Sequence, residues 1–148
     1  MNIIIKNSNV NSIEVRALRE RDAEIVKILD NLSGFELSSW VADTTEEDSP
    51  YAWGLFVNGE LAGYCSIGYA DDVGDAIEKH PLHNIDSLLL SDVYIVPKFR
   101  HQGLAKNLIK SAIHKRWNLD KTKEAVFLVC VNDKVEKLYK KWVTEISG

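Results

Sequence analysis

The segment that most constrains this chain is a strand, turn, helix and strand in succession between residues 88 and 131. Positions 88–96 are apolar on both faces apart from Ser91 and Asp92, as a strand in the middle of a sheet must be. Pro97 ends that run, and a short turn with Arg100 and Gly103 follows. Leu104, Ala105, Leu108, Ile109, Ala112, Ile113 and Trp117 then recur at helical spacing, with Lys106, Lys110, His114 and Lys115 largely on the other side. Residues 125–131 form a second buried strand. Strand, long helix and strand imply a right-handed parallel crossover between residues 88–96 and 125–131.

The N-terminal half supplies antiparallel strands. Residues 13–18 alternate with period two, and 51–57 and 60–69 are strands joined by Asn58-Gly59, the strongest short-range hairpin signal. Residues 20–32 read as a helix with Ile25, Ile28, Leu29 and Leu32 on its buried side. Ser33-Gly34 interrupts it, and 35–41 form a second short helix. Residues 71–84 are a polar loop, since Gly74 and Pro81 oppose long regular structure. A last helix spans 133–141. The expected architecture is a mixed α/β sheet, an antiparallel N-terminal hairpin beside one parallel pair, in a single domain over residues 1–148.

Composition narrows the function classes. With 45% hydrophobic and 27% charged residues in 148, the chain reads as a globular domain able to bury its own core. The opening Met1-Asn2-Ile3-Ile4-Ile5-Lys6 is too short for a signal peptide, and no run reaches membrane-span length, so a cytoplasmic location is expected. Cys65 and Cys130 lie in apolar strand-like runs and read as buried free thiols, with a disulfide as the alternative. The net charge of −4 is unevenly spread: from 98 to 123 there are eight basic residues against Asp120 alone. Glu36, Asp43, Glu46, Glu47 and Asp48 form an acidic stretch, and Asp71, Asp72, Asp75 and Glu78 a second. No basic patch is interleaved with aromatics, which argues against nucleic acid. His101 and His114 have no partners at metal-ligand spacing, which argues against a metal.

The turn before Leu104 has the makings of an anion cradle. The first amides of a helix have no intrahelical partner, and the helix dipole is positive at that end. Gly103 lets a ligand approach the backbone closely, Ala105 is nearly as small, and Arg100 can add a side-chain contact. Arg100-His101-Gln102-Gly103-Leu104-Ala105 resembles the R/Q-x-x-G-x-G/A signature of the GNAT family of N-acetyltransferases, with Ala105 in the last place. Val93-Tyr94-Ile95-Val96-Pro97 is similar to the family's strand leading into that loop. Asn132 and Leu138-Tyr139 match its N-x-x-A-x-x-L-Y pattern except at Val135, and the Asn58-Gly59 hairpin matches its second and third strands. These resemblances follow the family's order over nearly the whole chain.

The resemblance implies a GNAT-like acyl-CoA N-acyltransferase fold, with acetyl-CoA as cosubstrate and no metal. Val93, Tyr94, Ile95, Arg100, His101, Gln102, Gly103, Leu104, Ala105, Lys106, Asn132 and Tyr139 then bind the cofactor. Its pyrophosphate lies on the turn, and its pantetheine arm pairs with the strand edge around Val93 and Ile95 as an added strand. Tyr139, whose phenol ordinarily titrates near 10, protonates the departing CoA thiolate. Asp92, the sole charged residue of the central strand, stands near the expected thioester site as a general base or, with equal weight, as a structural carboxylate. The family's alternative glutamate, five residues before the asparagine, is here Phe127, leaving Glu60, Asp86 or a water chain as other routes for the proton.

Each of these residues also has a plainer role: Gly103 as a turn glycine, Asn132 as a helix cap, Tyr139 as an interfacial aromatic. The expected activity is direct transfer of acetyl from acetyl-CoA to a primary amine of a small molecule, a lysine or an N-terminus, within a ternary complex. The alternative is a non-catalytic acyl-CoA-binding or regulatory module on the same fold. The family's closing strands are shortened here, since little follows Tyr139, and a homodimer completing the sheet edge is one expectation.

Overall fold

The computed structural model describes residues 2–3, 11–69, 87–122, 125–128 and 132–147. Its strands are β1 (Ile13–Ala17), β2 (Ala52–Val57), β3 (Glu60–Tyr69), β4 (Ser87–Ile95) and β5 (Ala125–Leu128). Its helices are α1 (Ala23–Ser33), α2 (Ser38–Ala42), α3 (Leu104–Leu119) and α4 (Asp133–Ser147), with 3-10 turns at Glu20–Asp22 and Pro97–Phe99. The loop expected at 71–84, Asp86, Cys130 and the end of the last strand at 129–131 lie outside the described residues.

The strands form one sheet in the order β1-β2-β3-β4-β5, antiparallel through β4 and parallel between β4 and β5. The hairpin turns at Asn58 and Gly59, whose φ values of 51° and 83° suit a tight two-residue connection. The α3 face of the sheet holds one core: Leu104, Leu108, Ile109, Ala112 and Ile113 pack on Val15, Leu55, Cys65, Ile67, Leu88 and Leu90. Burying one such leucine contributes about 1.5–3 kcal/mol. The other face carries a second core of Val26, Leu29, Leu37, Val41, Phe56 and Tyr64 beneath α1 and α2.

Three sequence expectations change here. The buried side of α1 is Val26, Leu29 and Asp30, while Ile25, Ile28 and Leu32 face outward, Ile28 being 59% exposed. The cause is Asp30. Its carboxylate accepts the Leu37 and Ser38 amides at 3.2 and 2.9 Å and the Tyr64 hydroxyl at 2.7 Å. Satisfying three donors outweighs the larger apolar stripe and turns the helix by about one residue, roughly 100°. Secondly, α4 continues to Ser147 rather than ending at 141. Thirdly, α2 begins at Ser38 rather than 35, where the Asp30 carboxylate holds the Leu37 and Ser38 amides at its start.

Candidate active site

The site is built where β4 is irregular. Tyr64 pairs with Tyr94 and Ser66 with Ser91, so Asp92 and Val93 together oppose Cys65 alone. This is a β-bulge, and Asp92 takes its left-handed position at φ 52°. A bulge bends and twists its strand, and the parallel ladder with β5 runs from Ser87–Ala125 to Leu90–Leu128, just short of it. β5 is described as far as Leu128, so the described ladder reaches Leu90 and stops two residues before Asp92.

Side chains around the bulge separate by face. Val93 packs toward the α3 core, and Tyr94 packs toward the α1–α2 core, edge-on to Tyr64 at 6.3 Å. Ser66, fully buried, lies 2.9 Å from the Ser91 hydroxyl and 3.5 Å from Asp92 Oδ2. Partial burial pushes the Asp92 carboxyl above the usual carboxylate range, and the Ser66 hydroxyl offsets only part of that. Neighbouring Tyr64 is raised by burial, although Ser33 favours its ionised form through a 2.7 Å contact.

Beyond β4 the chain is held in place for the turn. Arg100 donates from Nε to the Ile95 carbonyl at 2.8 Å, and its guanidinium lies 5.3 Å from the Tyr94 ring centroid. That ties Arg100 back to the strand end, so its first structural task is to fix the loop. His101 and Gln102 are exposed, and His101 has φ 64°. Gly103 occupies the N-cap of α3 at φ 73°, and no side chain caps the helix. A Cβ built on Gly103 meets nothing within 4 Å. The helix thus opens with the amides of Leu104, Ala105 and Lys106 behind a glycine that has open space at its side-chain position, an arrangement that suits an anion.

Asn132 accepts the Val135 amide at 2.9 Å through Oδ1, the plainer helix-cap role expected for it. Tyr139, on α4, is half-buried against the core layer that also carries Val93 and Ala105, its ring 5.9 Å from Trp142. Burial pushes the free Cys65 thiol strongly up, which makes it a poor nucleophile. Among the described residues, no three His, Cys, Asp or Glu side chains gather as a metal site would need. Sequence reasoning missed Ser66, whose only signal was a period-two place beside Tyr64 on one strand face. It also gave Arg116 no place beyond the count of basic residues between 98 and 123, whereas that residue is 2% exposed.

A mixed sheet with a bulge in its fourth strand, leading into a glycine turn at a helix N-terminus, defines a protein of the mixed α/β class. A family model described as the acetyltransferase (GNAT) family matches residues 15–143, and the chain belongs to that family. No curated protein sequence matches the chain. Among solved structures it is similar to a ribosomal-protein-alanine N-acetyltransferase from Brucella melitensis biovar Abortus 2308, with 18% identity, 88% of this chain and 90% of that one covered, and TM-score 0.62. It is also similar to Arabidopsis thaliana NAA60 in complex with acetyl-CoA, with 17% identity, coverage of 89% and 84%, and TM-score 0.64. A third is the diaminobutyrate acetyltransferase of Paenibacillus lautus with its substrate and coenzyme A, at 15% identity, coverage of 92% and 77%, and TM-score 0.61. At these identities the likeness is one of fold.

Proposed function

We propose that this protein transfers the acetyl group of acetyl-CoA to a primary amine by direct attack in a ternary complex. The observation that carries the reading is the juxtaposition of the bulge at Asp92 in β4 with a helix start that no side chain caps, nine residues beyond the strand's end at Ile95. Membership of the acetyltransferase family and the coenzyme-bound neighbours support it.

In this reading the turn from Arg100 to Gly103 and the amides of Leu104, Ala105 and Lys106 hold the pyrophosphate, while the β4 edge from Val93 to Ile95 pairs with the pantetheine amides. Acetyl-CoA supplies the electrophile, a thioester carbonyl. A β4 amide donates to the carbonyl oxygen as charge builds there. The amine forms a C–N bond as the C–S bond breaks, and its surplus proton passes to Asp92 directly or through water. An Asp92 carboxyl held above the ordinary range is better matched to that task than an ordinary one. The Tyr139 phenol donates a proton to the departing thiolate and regains one from solvent. The acceptor is the amine of a small molecule, a lysine side chain or an N-terminus. The setting is the cytoplasm.

Release of CoA thiol, measured over a panel of a polyamine, an aminoglycoside and a lysine peptide, tests this. At least one amine should sustain turnover, and Tyr139→Phe should lower kcat by about 10²-fold, the low end for a lost general acid. Tight CoA binding without turnover on any amine would replace the enzyme with a non-catalytic acyl-CoA-binding module.

A further inference from the structure

At the opposite end of the sheet from the cradle lies a cavity of about 490 Å³. It is walled by Trp40, Pro50, Tyr51, Ile67 and Tyr69, and Arg116 of α3 reaches into it. β3 separates the two sites: Gly63 pairs with Ile95 near the cradle, while Tyr69 pairs with Leu88 beside the cavity. Six residues of strand make that about 20 Å.

Arg116 is the anomaly. It is 2% exposed, yet its Nε and Nη1 find no hydrogen-bond partner among the described residues. A buried guanidinium charge without a partner is costly. Its place in the last turn of α3 lets the helix dipole offset part of this. The one carboxylate among the described residues of the cavity wall, Asp43, is exposed and forms no ion pair with it. Among the described residues none supplies the missing negative charge.

The walls say what kind of molecule brings it. Trp40 and Tyr51 stand 5.2 Å apart in a tilted pair, and Tyr69, half-exposed, joins them with Pro50 and Ile67 in the apolar part of the lining. Such a surface favours a flat, apolar body over a hydrated inorganic ion. The planar guanidinium offers forked donors that match a carboxylate. We infer that this cavity is a binding site for a small aromatic or apolar carboxylate, seated on Arg116 between Trp40, Tyr51 and Tyr69 and separate from the acetyl-CoA cleft. Thr44 and Ser49 at the same wall can complete its polar contacts.

The test is a titration of the full chain with benzoate, phenylacetate and 3-phenylpropionate, followed by NMR on the Trp40 indole and the Arg116 Nε–H signals. At least one acid should shift both signals saturably, with a Kd at or below about 1 mM. The neutral 3-phenylpropanamide should bind at least tenfold more weakly, and saturating CoA should not displace the acid. Arg116→Met should weaken binding at least tenfold; if that variant does not fold, the Nε–H signal and the amide comparison in the unaltered protein decide. No shift with any of the three acids overturns the inference. So does equal binding of the amide, or displacement by CoA.

Discussion

Replacing Asp92 by asparagine separates the two roles that a carboxylate in this place can have. The substitution is clean for a geometric reason. Asp92 sits at φ 52°, in the left-handed region that asparagine and aspartate tolerate better than other side chains, so Asp92→Asn adds no backbone strain where Asp92→Ala would. The amide oxygen can still accept from the Ser66 hydroxyl. What is lost is the ability to take a proton. If Asp92 is the base, kcat/KM falls by about 10²–10⁴, or roughly 3–5 kcal/mol of transition-state stabilisation.

Stability should move the other way. Burial raises the folded carboxyl above its unfolded value, so its contribution is fully present below the unfolded pKa of about 4 and is lost as pH rises through the folded value. The uncharged asparagine escapes that loss. Asp92→Asn should therefore be as stable as the unaltered protein near pH 4 and more stable at neutral pH, with the difference closing as pH falls. Thermal denaturation at several pH values reads this, and CoA release between pH 5 and 9 reads the activity, whose acid limb should vanish in the variant. Activity within threefold of the unaltered protein would refute the base and leave a structural carboxylate.

Three other outcomes follow from the same geometry. Gly103→Ala and Gly59→Ala both place a side chain at positive φ in open space, so each should cost about 1–2 kcal/mol in denaturant unfolding, yet only Gly103→Ala should raise KM for acetyl-CoA, by about tenfold. Equal KM values in the two variants would rule out the cradle. Gly63→Ala brings a Cβ to 2.7 Å from the Tyr94 carbonyl oxygen and 2.5 Å from Ile95 Cδ1, and should destabilise the β3–β4 pairing by about 1–3 kcal/mol in urea; an unchanged midpoint would show that the strands part easily there. Asp22 is pushed up by burial but is held lower on balance by Arg16, which donates to both its oxygens at 2.8 and 2.9 Å, and by the Arg19 amide. Its stabilisation is present above the unfolded pKa and lost as pH falls through the folded value, so the gap in Tm between the unaltered protein and Asp22→Asn should shrink below about pH 4; a constant gap would mean that the ion pair contributes nothing.

Local pattern was enough for the elements that position the cradle. The alternation through residues 60–69, the Asn58-Gly59 turn and the start of α3 at Leu104 all depend on neighbours within a few residues, and β3, the hairpin and α3 begin where the pattern places them. The parallel pairing of β4 with β5 was legible too, because a helix of that length between two buried strands leaves few other closures. The site was partly legible. Gly103, Leu104 and Ala105 stand together at the helix start, and Asn132 caps α4, whereas Arg100 is drawn back to Ile95.

The amino-acid sequence by itself determined the order of strands and helices, the turn that opens α3 and the family signature, since each is written in short-range spacing. Only the tertiary structure decided which side of α1 is buried, that β4 bulges at Asp92, and that Arg116 lies under the sheet end. The physical reason is common to all three. A polar group's position is set by the distant partners it finds or lacks: Asp30 by the amides of α2 and the Tyr64 hydroxyl on β3, Asp92 by the mismatch with β3, Arg116 by a cavity wall where its Nε and Nη1 meet no hydrogen-bond partner among the described residues.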